Sequence, residues 1–318
     1  MTDSLMNTCI IIPSHIHDVS RTQRLVHCLQ SLINQTHTIP IHLSISFETE
    51  LDNRLFDEMV REHKLTDNDL LVIRIREEKT SQFRHIEKTV NDIKDKYNYV
   101  MFCDDDDTYE NNRVEIFMVS INMAIDMCPE DKVFAGLYES DVSHIDKRQE
   151  YWSYCVKMEI IIQFMNTLKG NDGDTYLDNT MCDVLFASYL RHLDSNNMFS
   201  RIPLKMYNYN QHKLSITGQI RTRQQTNERH IPENTTNFTE FVKGLNDTLE
   251  QWMENEHIKN NIFLACVINK HISFDFILEK YVLHEHYKYK DKINKTILQE
   301  LEDQYDNINK LCNTLYQL

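Results

Sequence analysis

Short apolar runs alternate, along the first half of the chain, with segments whose apolar positions recur every third or fourth residue. CIIIP (residues 9–13) predicts a buried strand that stops at its proline. Leu25, Val26, Leu29, Leu32 and Ile33 then fall on one face of a helix beginning near Arg21. IPIHLSISF predicts a second strand, LDNRLFDEMVREHKL an amphipathic helix, DLLVIRIR a third strand and FRHIEKTVNDIKDKY a third helix. YVMFC (residues 99–103) supplies a fourth strand. This alternation with short links predicts an α/β fold with a mostly parallel sheet flanked by helices. In such sheets ligands bind beyond the carboxyl ends of the strands. Pro13–Ser14, Phe47–Glu48 and the residues after Cys103 all fall at such ends.

Further along, the pattern predicts a helix near Arg113–Met127, a strand at KVFAGLY (132–138) and a helix through YWSYCVKMEIIIQFMNTL (151–168). The loop KGNDGDTYLDN (169–179) feeds a helix, TMCDVLFASYLRHL, and FSRIPLKMYNYNQHKLSITG (199–218) is strand and loop. Polar, unpatterned sequence near residues 222–235 marks a boundary, giving a sheet domain over 1–225 and a helical C-terminal extension over 226–318.

Composition narrows the class. Of 318 residues, 34 are basic and 49 acidic, a net charge of −15, which argues against nucleic acid or an anionic membrane surface as the main partner. No apolar run is long enough for a membrane span, and MTDSLMNT does not resemble a signal peptide. The 8 cysteines are scattered without a Cys-x-x-Cys pair, so zinc spacing is absent and they are expected as reduced core residues in a cytoplasmic protein. No Gly-rich phosphate loop of the Walker or dinucleotide type occurs.

The chemistry concentrates in YNYVMFCDDDDTYENNRVE (97–115), where a buried strand runs straight into Asp104, Asp105, Asp106 and Asp107. Four adjacent carboxylates repel, and burying any of them without a partner is costly. A cation should gather there. The plainer alternative is a solvated acidic turn that caps the next helix through Asp107 or Thr108.

Three stretches, in order, resemble family 2 glycosyltransferases of the GT-A fold. CIIIPSHIHDVSRTQRLVHCLQSLINQT resembles that family's opening strand, ending in Pro, and its helix closing with Ser-Leu-x-x-Gln-Thr. YVMFCDDDDTYENNRVE resembles its strand and Asp-x-Asp region, and IPLKMYNYNQHKLSIT its closing segment. The low-Gly, Asn- and Lys-leaning composition resembles that of proteins from AT-rich genomes, including large DNA viruses, and such an origin would place the chain in host cytoplasm.

The resemblance implies a metal-dependent, inverting transfer of a sugar from a nucleotide-diphosphate donor, a UDP-sugar first among them, to a hydroxyl of a glycan acceptor. Mn2+ or Mg2+ would be held by Asp104 and Asp106, with His212 either a further ligand or a loop residue. Asp104 and Asp105 would also lie against the donor. Pro13, Ser14 and His15, Glu48, and Gln82 with Arg84 would line the nucleotide. Where the family has Arg in its closing segment this chain has Asn210, leaving Lys213, Arg221 or Arg223 to meet phosphate. The catalytic base would be Asp183, at the place of the family's Glu-Asp pair, with Asp178 its rival and Asp172 and Asp174 behind. Trp152 and Tyr154 would form a sugar-stacking wall or lie buried, and His15, His17, His85 and His144 form no metal pattern and are expected in loops or at the surface. The C-terminal helices would cover the domain, build a homodimer or shape an acceptor cleft. A sugar-nucleotide nucleotidyltransferase and a non-catalytic carbohydrate- or nucleotide-binding protein of the same fold are the competing readings.

Overall fold

The computed structural model describes residues 7–129, 132–141, 149–170, 173–210, 237–254, 257–268 and 272–317. The chain divides into two compact units, Met1–Asn210 and Gln211–Leu318. The boundary expected near residues 222–235 lies outside the described residues.

The first unit is built on a seven-stranded sheet of order β3-β2-β1-β4-β7-β6-β8. Its strands are β1 (Thr8–Ile16), β2 (Ile41–Phe47), β3 (Leu71–Ile75), β4 (Tyr99–Phe102), β6 (Gly136–Glu139), β7 (Tyr154–Lys157) and β8 (Phe199–Ile202), while β5 (Thr108–Tyr109) and β9 (Tyr207–Asn208) pair separately as a short antiparallel ribbon. β3, β2, β1 and β4 run parallel, as does β6 with β8, and β7 is antiparallel to both its neighbours. The helices are α1 (Val19–Ile33), α2 (Glu50–Glu62), α3 (Gln82–Ile93), α4 (Arg113–Met127), α5 (Met158–Gly170) and α6 (Cys182–Ser195).

Local sequence explains where these helices begin. Asp18 caps α1 by accepting from the Arg21 backbone N–H at 2.8 Å, Thr49 and Asp52 form a reciprocal capping box on α2, and Ser81 caps α3. Gln35 then ties the end of α1 to the start of α4, donating to the carbonyls of Ser31 and Glu110 and accepting from Val114 N–H. The core is apolar on both sides of the central strands, and Ile11, Val100, Phe102 and Val156 are fully buried.

Two expectations are corrected here. β1 does not stop at Pro13 but continues to Ile16 alongside β2, with Pro13 opposite Ser44. The proline is tolerated in a central strand because β4 has already ended. Ile10 bonds toward β2 and Ile11 toward β4, so Pro13 turns its missing N–H to the β4 side, beyond the last pair, Ile11 with Phe102. The second correction concerns residues 151–168, which are not one helix: a 3-10 turn at Tyr151–Ser153 and strand β7 precede α5. The run is mostly apolar, with Lys157 and Glu159 its only charges, and periodicity alone does not separate a buried strand from a buried helix.

The second unit is helical over its described residues. α7 (Phe238–Glu254), α8 (His257–Ile268), the short α9 (Phe274–Ile277) and α10 (Lys295–Tyr316) bury Leu245, Leu249, Ile262, Phe263, Ile297, Leu301, Leu311 and Leu315. Among the described residues, no helix is long and apolar enough to cross a membrane.

Candidate functional site

The four aspartates alternate. Asp105 and Asp107 are 2% and 0% exposed, whereas Asp104 and Asp106 are half-buried at the carboxyl end of β4. Each inward carboxylate has its own partners. Asp105 accepts from Arg21 Nε and Nη2, both at 2.9 Å, and from Ser14 Oγ at 2.5 Å. Asp107 accepts from Tyr207 Oη at 2.8 Å and from the Asn210 backbone N–H at 2.7 Å. Burial, reinforced by the charge of Asp106, pushes the Asp107 carboxyl up to about 7 against those two hydrogen bonds.

Asp104 sits in a different setting. Gln82 Nε2 donates to its Oδ1 at 2.8 Å, and the Tyr151 hydroxyl donates to the same oxygen. Its backbone N–H donates to Tyr207 Oη at 3.0 Å. Among the described residues Oδ2 accepts no hydrogen bond. Burial first, then the charge of Asp107, pushes this carboxyl well above the usual range; Asp106 and Asp183 add to the rise, and the Tyr151 hydroxyl opposes it. Carboxylates from two separate elements, the β4 end and the first turn of α6, therefore share one field.

A rigid frame holds this cluster. Arg113 and Glu139 form a fully buried ion pair at 3.2 Å, and Glu139 also accepts from the backbone N–H groups of Met206 and Tyr207. The Arg113 guanidinium lies over the Tyr109 ring at 4.0 Å. The β5–β9 ribbon is thus pinned with Tyr207 beneath Asp104 and Asp107. Trp152 stacks on Tyr207 at 4.1 Å and on Tyr209 at 5.8 Å, making three near-parallel rings beside the aspartates. Tyr154 takes no part: it is fully buried in β7.

The remaining candidates fall into two groups. At the ends of β1 and β2, His15 Nε2 and Lys79 Nζ each lie 2.9 Å from Glu48 Oε2. At the start of α3, Arg84 donates to both oxygens of Asp178, at 2.9 to 3.1 Å, and to Glu87 at 3.1 Å. Pro13 and Ser14 are buried, and Ser14 Oγ bonds Asp105. His212, Lys213, Arg221, Arg223, His144, Asp172 and the side chain of Asp174 lie outside the described residues.

His85 is not the surface or loop residue expected. It is 1% exposed, with Nδ1 2.9 Å from Ser44 Oγ and Nε2 3.0 Å from Ser46 Oγ. The sequence signal for it was a pair of serines two apart inside a buried strand, whose hydroxyls need partners. Arg21, Tyr151 and Tyr207 were also missed, and only tertiary contacts reveal them.

A divalent cation fits the outward pair. Mg2+ and Mn2+ take carboxylate oxygens and retain positions for phosphate and water. Oδ2 of Asp104, which accepts no hydrogen bond among the described residues, and the half-buried Asp106 are donors of that kind, and a cation there would offset the neighbouring carboxylate charge that adds to burial in raising the Asp104 carboxyl. Among the described residues no three metal-donor side chains converge.

No family model matches the sequence, and no curated protein matches it. Among solved structures the chain is similar to the crystal structure of S. aureus TarS, with a TM-score of 0.43 and 12% identity, over 97% of this chain and 55% of that one. The chain thus spans little more than half the length of that neighbour.

Proposed function

We propose that this chain is a metal-dependent, inverting glycosyltransferase of the GT-A type, using a nucleotide-diphosphate sugar. The observation that carries the reading is the alternation of the aspartates: Asp105 and Asp107 are buried with their own partners, Asp104 and Asp106 are half-buried at the ligand end of the sheet, and the charge of Asp183 reaches Asp104. Asp104 and Asp106 would hold Mn2+ or Mg2+, and the ion, when bound, would neutralise charge on the departing diphosphate.

The side chains divide the remaining work. Gln82 and Tyr151 fix Asp104 through Oδ1, and among the described residues Oδ2 accepts no hydrogen bond. Asp183, half-buried in the first turn of α6, removes the acceptor hydroxyl's proton as that oxygen attacks the anomeric carbon from the face opposite the leaving group. Glu48, at the end of β2, accepts a hydrogen bond from the nucleobase. The Trp152–Tyr209 rings offer an apolar wall for a sugar face, the acceptor being a glycan or another hydroxyl compound.

Incubation of the purified protein with a panel of nucleotide sugars and Mn2+ tests this. Metal-dependent hydrolysis or transfer with one donor is the expected result. Binding without turnover would favour a non-catalytic binding protein, and release of pyrophosphate from a nucleoside triphosphate and a sugar phosphate would favour a nucleotidyltransferase.

A further inference from the structure

Behind Glu48 a chain of hydrogen bonds crosses the sheet. Arg76 Nε donates to Ser44 Oγ at 3.0 Å, and Ser44 Oγ lies 2.9 Å from His85 Nδ1. His85 Nε2 lies 3.0 Å from Ser46 Oγ, Ser46 Oγ 2.9 Å from His15 Nδ1, and His15 Nε2 2.9 Å from Glu48 Oε2. Ser44 and Ser46 share one face of β2, and α3 brings His85 between them.

Both ends of this chain have fixed polarity. A guanidinium only donates and a carboxylate only accepts. Hydrogen bonds from Lys79 and then from His15 hold the Glu48 carboxyl below its usual range, so it is an acceptor. His15 Nε2 therefore carries hydrogen, and in the neutral ring Nδ1 accepts. The Ser46 hydroxyl must donate to that nitrogen and so accepts from His85 Nε2–H. His85 Nδ1 then accepts from the Ser44 hydroxyl, which in turn accepts from Arg76. One assignment of hydrogens closes every link, whereas the reverse leaves the Ser44 hydrogen with no acceptor in the chain. Burial, helped by the charges of Arg76 and Lys88, pushes the His85 imidazole down to about 3 and keeps it neutral.

The consequence appears at Glu48. His15 and Lys79 both bond Oε2, and among the described residues Oε1 accepts no hydrogen bond. We propose that His85, acting through Ser46 and His15, is a positioning residue that locks the Glu48 carboxylate as an acceptor for a ring N–H of the donor's nucleobase, and so selects bases that carry one. Uracil and guanine present such a hydrogen. Cytosine and adenine present a lone pair there, which repels Oε1. This rests on the nucleotide-donor reading above.

The test is equilibrium binding of UDP, GDP, CDP and ADP, each with Mn2+, to the full chain and to Ser46→Ala, His85→Leu and His85→Gln, with nitrogen NMR of the histidine side chains. The unaltered protein should bind UDP or GDP about tenfold or more tighter than CDP and ADP. Ser46→Ala and His85→Leu should bring that ratio toward one while barely changing CDP and ADP. His85→Gln, which keeps one acceptor and one donor, should retain most of it. Both histidines should carry hydrogen on Nε2 and none on Nδ1. An unchanged ratio in the variants, a parallel loss for all four nucleotides, or either histidine in the Nδ1–H form would overturn the positioning role alone. Failure of the unaltered protein to bind any of the four would overturn the donor reading, and this proposal with it.

Discussion

Arg21 and Asp105, 84 positions apart in sequence, meet through two parallel hydrogen bonds of 2.9 Å that join the first turn of α1 to the aspartate run. The pair removes one carboxylate of the four from solvent. With Asp107 anchored likewise by Tyr207, the intervening Asp106 and the preceding Asp104 are left as the outward pair.

Arg21→Ala should therefore destabilise the protein by about 3 kcal/mol, because it strands a buried carboxylate without its counter-charge. Arg21→Ala combined with Asp105→Asn should cost less than the sum of the two single changes. Urea denaturation measures both. Were Asp105 instead a cation ligand, Asp105→Asn would chiefly weaken Mn2+-dependent nucleotide binding and leave the urea midpoint in place.

Asp106→Ala should do the opposite. Asp106 is half-buried where Asp105 is buried in an ion pair, so the urea midpoint should move less than for Arg21→Ala, while Mn2+-dependent binding of the nucleotide should fall by about tenfold or more. Titration calorimetry with and without Mn2+ separates the effects. Equal affinity of variant and parent in the presence of Mn2+ would remove Asp106 from the metal site.

The parallel half of the sheet was legible because β1 and β4 carry buried apolar runs, β2 alternates apolar with polar residues, and helices with apolar faces separate them. The antiparallel half was not. β7 is four residues long and runs directly into α5 with no turn between them, and its direction depends on a pairing with β4 that no local pattern records. The same limit applies at the site. DDDD announces that charge is concentrated, but which carboxylates turn inward is decided by Arg21 and Tyr207, 84 and 100 residues from the aspartates they meet. His85 was misjudged because it sits on an apolar helical face among Phe83, Ile86 and Val90, and its partners are strand residues about forty positions earlier.

The buried imidazoles make a pH prediction. His85 is pushed down to about 3 and His42, by burial and then by Arg74, to about 4. Unfolded histidines titrate near 6.5, so between those values the unfolded chain binds more protons than the folded one. The stabilisation these neutral rings contribute is complete above pH 6.5 and is lost as pH falls from about 6.5 toward 3. His85→Gln cannot titrate and should narrow the gap between urea midpoints at pH 7 and pH 4.5. A gap as wide as in the parent would mean that His85 is not buried in the neutral form.

The choice between Asp183 and Asp178 as base turns on what each carboxylate already holds. Arg84 engages both oxygens of Asp178 at 2.9 to 3.1 Å, and Ser81 Oγ lies 3.4 Å from Oδ1. Lone pairs shared with a guanidinium are poor proton acceptors. Asp183 stands in the first turn of α6, and its charge helps to raise the Asp104 carboxyl and the Tyr151 hydroxyl. Asp183→Asn should leave Mn2+-dependent donor affinity intact and lower kcat by about 100- to 10,000-fold, the usual contribution of a positioned base. Asp178→Asn should change kcat by only a few-fold, with any larger effect appearing in donor KM through the released Arg84. Single-turnover transfer alongside donor binding separates these terms. A severe kcat loss in Asp178→Asn with near-normal turnover in Asp183→Asn would exchange the two roles, and would require Arg84 to leave Asp178 when donor binds.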